Sequence, residues 1–319
     1  MRVLVIGGTE FISLHLVQSL RRDGHEATVL NRGRRRERLP EGVRQIACDR
    51  KDHAALKTAL AGERFDGLVD VTYAPTTGAD VGALLDALDG RVGHVIFVST
   101  GRVYDHALPM PLGEDATRNL YWGEYAKLKI EGEDELLRRH RERGLRVSIV
   151  RPTHVYGPMN TRNNETFFFD RLVRGRPVLV PGDGGWLRQF GHVEDLADAM
   201  AAMLGRREAD GQAYNVTGEE VITQVGFVEL IADVMKTKVT VVPAPAPGPG
   251  EKPAPFGQNL AYDCHAVYTT GKLRVQLGLR PRFTLAAGLA HTLDWYLKEG
   301  LDRRAVDFAA EDALLRRAG

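Results

Sequence analysis

The sequence predicts an α/β protein built on a doubly wound parallel sheet, with a smaller, mostly C-terminal α/β region beside it. Three observations carry this. Short β-branched runs alternate with helical patterns through the first half of the 319-residue chain. The runs are apolar throughout rather than alternating with polar residues, which is the pattern of strands buried on both faces. The first run opens directly into a glycine-rich turn, IGGTEFIS at residues 6–13, followed by a helical pattern.

In order, strands are expected at residues 3–6, 27–30, 43–46, 68–71, 94–98 and 147–150, and one more at 213–216. Helices are expected over about 11–23 and 120–143, from about 193, and from about 285 to the end. Residues 152–192 are rich in turn signals. Residues 241–257, VVPAPAPGPGEKPAPFG, carry too much Pro and Gly for regular helix and read as a surface loop. In such sheets ligands bind at the carboxyl ends of the strands.

Composition excludes several classes. Hydrophobic content of 43% and charged content of 27% are those of a soluble globular protein. A net charge of +1, from 43 basic and 42 acidic residues, leaves no electrostatic footprint for nucleic acid. Cys48 and Cys264 are the only cysteines, too few for a disulfide framework or a zinc cluster, which suits the cytoplasm. No segment approaches the roughly 20 apolar residues of a membrane span.

A dinucleotide-binding turn wants glycines spaced G-x-x-G-x-x-G, for the bend, the approach to the pyrophosphate and helix–strand packing. Gly7 takes the first place and Gly8 supports the bend. Ser13 is small enough for the third place. Glu10 is the anomaly: about 8 Å from a phosphate charge, it costs about 2 kcal/mol at an effective dielectric near 20 unless it turns elsewhere. The turn alone therefore reads either as a modified nucleotide site or as a plain strand–turn–helix.

A second constellation bears on this. Strand 94–98 ends in Ser99-Thr100, and Tyr125 and Lys129 follow in YAKLK, four apart on one helix face. A hydroxyl at a strand end with Tyr and Lys one helical turn apart is a proton-transfer set. For the phenol to act as a base near neutrality its pKa must fall about three units, or about 4 kcal/mol. A nearby ammonium and an oxidised nicotinamide supply that positive field.

With IGGTEFIS, VSTGRVYD at 98–105, YAKLK at 125–129, VRPTHVYGP at 150–158 and PGDGGWLRQFGHVEDLADAM at 181–200 in this order, the chain resembles the extended short-chain dehydrogenases/reductases. That group holds nucleotide-sugar epimerases and dehydratases, and the resemblance spans nearly the whole chain. It implies a Rossmann-like dinucleotide-binding domain over 1–160, completed by about 193–217. It places a substrate-binding region at 161–192 and 218–319. Thr100, Tyr125 and Lys129 become the catalytic set. Cofactor contacts are implied at Gly7, Thr9, Glu10, Phe11, Ile12, Asn31, Arg32, Asp49, Arg50, Thr72 and Pro152, with Asp49 near the adenine and Pro152 near the nicotinamide. Substrate contacts are implied at Ser99, Arg102, His154 and Arg188, Arg188 gripping a diphosphate. The resemblance also implies a homodimer through helices near 78–90 and 120–143.

Departures narrow the expectation. Turns of the G-G-T-x-F form occur in an atypical branch that includes plastid RNA-binding relatives, whereas the complete triad here favours retained catalysis. Gly101-Arg102 stands where 4,6-dehydratases carry Asp-Glu, and Arg102 stands where decarboxylating relatives carry Glu, so both activities are disfavoured. Arg102 is either a surface residue or an anion contact, and His154 either a core or a substrate residue. The second strand ends in Asn31 rather than an acid and runs into Arg32, Arg34, Arg35 and Arg36, which favours NADP over NAD. Glu10 either neutralises Arg32 or binds the ribose and restores NAD. No metal is expected. The leading expectation is a nucleotide-sugar epimerase working through a transient keto intermediate. The alternatives are an NADPH-dependent reductase of a ketone or keto-sugar and a non-catalytic nucleotide- or RNA-binding protein on the same fold.

Overall fold

The computed structural model describes residues 1–71, 76–162, 164–245, 256 and 264–318. The first half runs β1 (Arg2–Ile6), α1 (Phe11–Arg22), β2 (Glu26–Asn31), β3 (Arg44–Ala47), α2 (His53–Ala59), β4 (Phe65–Asp70), α3 (Gly78–Leu88), β5 (Val92–Val98), α4 (Gly123–Arg143) and β6 (Arg146–Pro152). There follow β7 (His154–Tyr156), α5 (Glu165–Leu172), β8 (Val178–Pro181), β9 (Leu187–Arg188), β10 (Phe190–His192), α6 (Val193–Met203) and β11 (Gln212–Val216). The chain ends with β12 (Ile222–Thr223), α7 (Gln224–Val234), β13 (Val241–Ala244), α8 (Gly271–Leu277), α9 (Leu285–Lys298) and α10 (Ala309–Ala318).

These elements form two compact units. The first comprises Met1–Thr153, Val193–Thr217 and Tyr268–Arg280, and the second the remaining residues. The seven-stranded sheet of the first unit has the order β11-β6-β5-β4-β1-β2-β3, and every neighbouring pair is parallel. Its inner strands β1, β2, β4, β5 and β6 are buried on both faces, as their apolar runs require, while the edge strand β3 is largely exposed. Leu4, Ile6, Leu68, Val95 and Phe97 pack with Leu84, Leu88 and Leu136 from α3 and α4, while α1 packs with α6. Because β1 lies between β2 and β4, the winding reverses there, and a crevice opens at the carboxyl ends of the strands. Those ends carry Gly7, Asp70, Ser99, Thr100 and Pro152.

Among the described residues, the second unit holds three two-stranded sheets, β10-β7, β12-β9 and β13-β8. Its core joins Tyr156, Phe168, Phe169, Phe190, Phe227, Leu289 and Tyr296, with the Phe190 and Phe227 rings stacked at 4.0 Å. A buried ion pair from Arg171 to Glu311, at 2.9 and 2.5 Å, fixes α10 to α5.

Three sequence readings change. The long helix begins at Gly123 rather than 120, because Leu120 to Trp122 form a turn closed by Gly123 N donating to Leu120 O at 2.8 Å. The start of the Pro-rich stretch is strand rather than loop: β13 pairs parallel with β8, and Pro243 is tolerated because a two-stranded ribbon is all edge. Residues 246–255 and 257 of that stretch lie outside the described residues. Residues 268–280, grouped by sequence with the substrate region, pack in the first unit, where Tyr268 bridges to Leu112 and α8 lies on β11. Among the described residues no helix is long and apolar enough to cross a membrane.

Gly8 is fixed by packing as well as by conformation. Its φ is +95°, and a Cβ there would come within 2.4 Å of Val29 Cγ1 on the neighbouring strand. Gly8→Ala is therefore expected to lower unfolding stability by about 2–4 kcal/mol, from backbone strain and overpacking together. Urea unfolding of the variant checks this.

Candidate active site

The glycine turn is built by both of its glycines and by Asn31. Gly7, at φ +112°, donates its N–H to Leu30 O at 2.9 Å. The Asn31 amide donates to Gly7 O at 2.8 Å, while its Oδ1 accepts from Gly33 N at 2.8 Å and Gln45 Nε2 at 2.7 Å. Asn31, expected to contact the cofactor, thus has its side chain taken up in holding the turn against β2 and β3. Ser13 is buried, and its Oγ donates to Glu10 O at 2.8 Å, so a hydroxyl fits where the third glycine was expected. Phe11 opens α1 at φ +35°, a left-handed conformation uncommon for a non-glycine residue. Thr9 and Ile12, on either side, are half-buried.

Glu10 does not cap α1 with its carboxylate. It forms an exposed ion pair with Arg35, not the Arg32 suggested by sequence. Arg32, Arg34, Arg36 and Arg38 are exposed around it. Asp49 is exposed and accepts from Lys51 N at 3.0 Å, shaping the turn after β3. Arg50, also expected at the cofactor, is buried and donates to Asp70 at the end of β4, with both carboxylate oxygens 2.8 and 2.7 Å from Nη1. A carboxylate at the end of a buried strand needs such a partner. Thr72 lies outside the described residues.

Thr100 lies two residues past the end of β5, is 7% exposed, and its Oγ1 accepts from Arg102 N at 3.3 Å. Ser99 is buried, with its N–H on Val150 O at 2.8 Å. Tyr125 is half-buried in the first turn of α4. One turn later Lys129 is buried: Nζ donates to Val98 O at 2.8 Å and lies 5.0 Å from the centroid of the Phe97 ring. Gly132 lets the helix come this close, since a Cβ there would meet Phe97 Cζ at 2.6 Å. Pro152 ends β6 beside Val216. The Arg102 guanidinium stacks 4.7 Å from the Trp122 ring, just ahead of α4.

Sequence reasoning missed the charge network beneath this helix. Glu133, one turn beyond Lys129, is fully buried. It accepts from Arg151 at 2.9 and 2.6 Å and from Arg118 at 2.8 Å. Arg151 also donates to the Tyr104 hydroxyl at 2.9 Å, which donates to Asn215 Oδ1 at 2.6 Å. Burial pushes the Glu133 carboxyl up, but Arg151, Ser99 and Arg118 outweigh it and hold the group below the usual carboxylate range. The available signal was a charged residue inside an apolar strand: Arg151 in SIVRP and Asp70 in GLVD.

In the second unit, His154 packs its ring against Phe190 at 5.7 Å, in keeping with the core alternative. Arg188 is 1% exposed, and its Nη1 donates to Leu187 O at 3.0 Å and to Cys264 O.

Residues 3–217 match the NAD dependent epimerase/dehydratase family. The chain belongs to that family. Among curated relatives, the chloroplast stem-loop binding protein of 41 kDa b from Arabidopsis thaliana is 29% identical over 98% of this chain and 84% of its own. A dTDP-glucose 4,6-dehydratase of Streptomyces niveus is 27% identical over 93% of each. Among solved structures, the Thermus thermophilus UDP-glucose 4-epimerase complex with NAD is 26% identical, with a TM-score of 0.76 over 93% of this chain and 99% of that one. Family membership agrees with the doubly wound sheet and with the order of motifs along it.

Burial lowers the Lys129 ammonium from 10.5 to about 8, while Asp70 and Glu133 oppose the fall and Arg50 adds to it. The unfolded chain therefore holds the extra proton between about pH 8 and 10.5, and stability rises with pH across that window. Relative to Lys129→Met, which lacks the group, the wild type should gain up to about 3 kcal/mol over that range. Parallel urea titrations of the two proteins measure it.

Proposed function

We propose that the protein is an NAD(P)-dependent enzyme that inverts a carbinol centre of a nucleotide-linked sugar through a transient keto intermediate. The observation that carries this is Lys129: an ammonium buried at the carboxyl end of β5, poised near neutrality, one helical turn from Tyr125 and on the strand end that carries Thr100. The glycine turn fits a dinucleotide, because Gly7 and Gly8 keep the bend open and the first-turn amides of α1 favour phosphate. When bound, the nicotinamide accepts a carbon-bound hydrogen with its electron pair and returns it.

In this reading Thr100 Oγ1 orients the sugar hydroxyl. Tyr125, deprotonated with the help of the Lys129 charge, takes the hydroxyl proton and gives it back after the keto sugar has turned over. Ser99 and Arg102 are the proposed substrate contacts, Arg102 as an anion contact next to Thr100. The homodimer through α3 and α4 and the cytoplasmic location belong to the same reading.

The NADP preference rests on the neutral Asn31 at the end of β2 and the exposed guanidinium of Arg32 beside it, which suits a 2′-phosphate. Arg32→Ala is expected to weaken NADPH binding roughly tenfold, the worth of one charge-assisted contact, and to leave NADH binding unchanged. Calorimetric titration with both cofactors decides, and equal losses for both would return the preference to NAD.

Screening nucleoside-diphosphate sugars by NMR tests the activity. Tyr125→Phe should lower kcat by roughly 10²- to 10⁴-fold, the usual worth of a positioned acid–base group. Full turnover in that variant removes the mechanism. Stoichiometric consumption of NADPH identifies a reductase instead. The exposed run of Arg32, Arg34, Arg36 and Arg38 and the stem-loop binding relative define the competing reading. It requires salt-dependent RNA binding that is indifferent to Tyr125→Phe.

A further inference from the structure

Lys129 is surrounded by charge from three directions. Asp70 comes from the end of β4, in register with Phe97 of β5, over whose ring the ammonium lies. Arg50 comes from the segment after β3 and grips Asp70 at 2.7 Å, the two side chains being 7% and 3% exposed. Glu133 comes from α4 itself and is already engaged by Arg151 of β6 and by Arg118. The Glu133 cluster thus carries its own two cations, while the Arg50 that grips Asp70 also reaches toward Asp80 O, 3.5 Å from Nη2. Apart from burial, Asp70 acts on Lys129 most strongly, and Arg50 opposes it.

An ion pair buried at this depth is a weak device for holding a fold together, because apolar side chains of similar volume do so without the desolvation cost. What an apolar pair cannot supply is a negative charge beside a desolvated ammonium.

We propose that Asp70 is a positioning residue for the catalytic lysine: its charge at the neighbouring strand end keeps Lys129 protonated, and Arg50 sets how much of that charge the ammonium feels. The proposal rests on the reading of Lys129 as the partner of Tyr125. Only the ammonium form lowers the phenol pKa, so the pair sets the alkaline limit of activity. Removing Asp70 moves that limit to lower pH, and removing Arg50 moves it to higher pH.

The test reads Lys129 directly in the full chain. Protein labelled with ¹³C at the lysine ε carbons is titrated by NMR, and the Lys129 resonance is assigned by its absence in Lys129→Arg. Asp70→Asn should lower the midpoint by on the order of one unit, and Arg50→Gln should raise it. Shifts of the same sign in both variants, or none in either, overturn the proposal, because a merely structural pair does not move the lysine in opposite directions. If a single variant fails to fold, the double variant Arg50→Gln/Asp70→Asn leaves no unpaired charge and should titrate below the wild type. A midpoint at or above wild type overturns the proposal equally. The readout needs no sugar, so a protein without sugar turnover but with opposed shifts would fail the proposed activity and keep this inference.

Discussion

A desolvated ammonium at the end of a parallel strand sets the terms for the first unit. For Lys129 to reach Val98 O, α4 must lie almost in contact with β5, and only a residue without a side chain fits between them at Gly132. Gly78 meets the same demand from the other side, where a Cβ would come within 2.9 Å of Glu131 O. The helix is then held from below by Glu133 and its two arginines. Breaking one partner of such a buried pair costs about 3–5 kcal/mol, so the helix has little freedom to drift from the strand. Tyr125, in the first turn of the same helix, is carried by these constraints.

The other half of the cofactor region is governed by backbone conformation. Gly7 and Gly8 take conformations that side chains resist, and Val29 occupies the space a Gly8 Cβ would need. Around this fixed bend the usual side chains have been exchanged. Ser13 replaces a packing glycine with a hydroxyl bonded to Glu10 O, and Asn31 replaces an acid with an amide that ties three segments together. Glu10 is drawn to Arg35, where an exposed pair contributes at most about 1 kcal/mol. Its larger effect is to turn the carboxylate toward a guanidinium partner.

The sheet was legible because its strands are apolar runs with a helix between them, and periodicity reports that directly. The turn and the Tyr125–Lys129 pair were legible because their chemistry depends on spacing along one element. Short elements were not. α2 is seven residues long and is started by Asp52 accepting from Ala55 N, a cap too local to stand out. β13 was hidden by Pro243, which only an edge strand accepts. The protein partners of Arg50, Asn31 and Arg188 were not legible for one reason: each residue was placed by its position in a motif, while these partners are brought in from elsewhere by folding. Asp70 lies 20 residues from Arg50, and Cys264 lies 76 from Arg188. Glu165 shows the same limit, since nothing local announces that burial pushes its carboxyl up to about 7 while Gly157 N and Asn160 bind it.

The central claim is that IGGTEFIS, despite Glu10, Phe11 and Ser13, still holds a nicotinamide dinucleotide beside Tyr125 and Lys129. The most direct measurement is to denature the purified protein, separate any released small molecules by chromatography, and identify them by mass, with calorimetric titration of the emptied protein if none is found. The account predicts released NADP or NAD, or saturable micromolar binding of one of them. Protein that releases no nucleotide and binds neither form at millimolar concentration would contradict it.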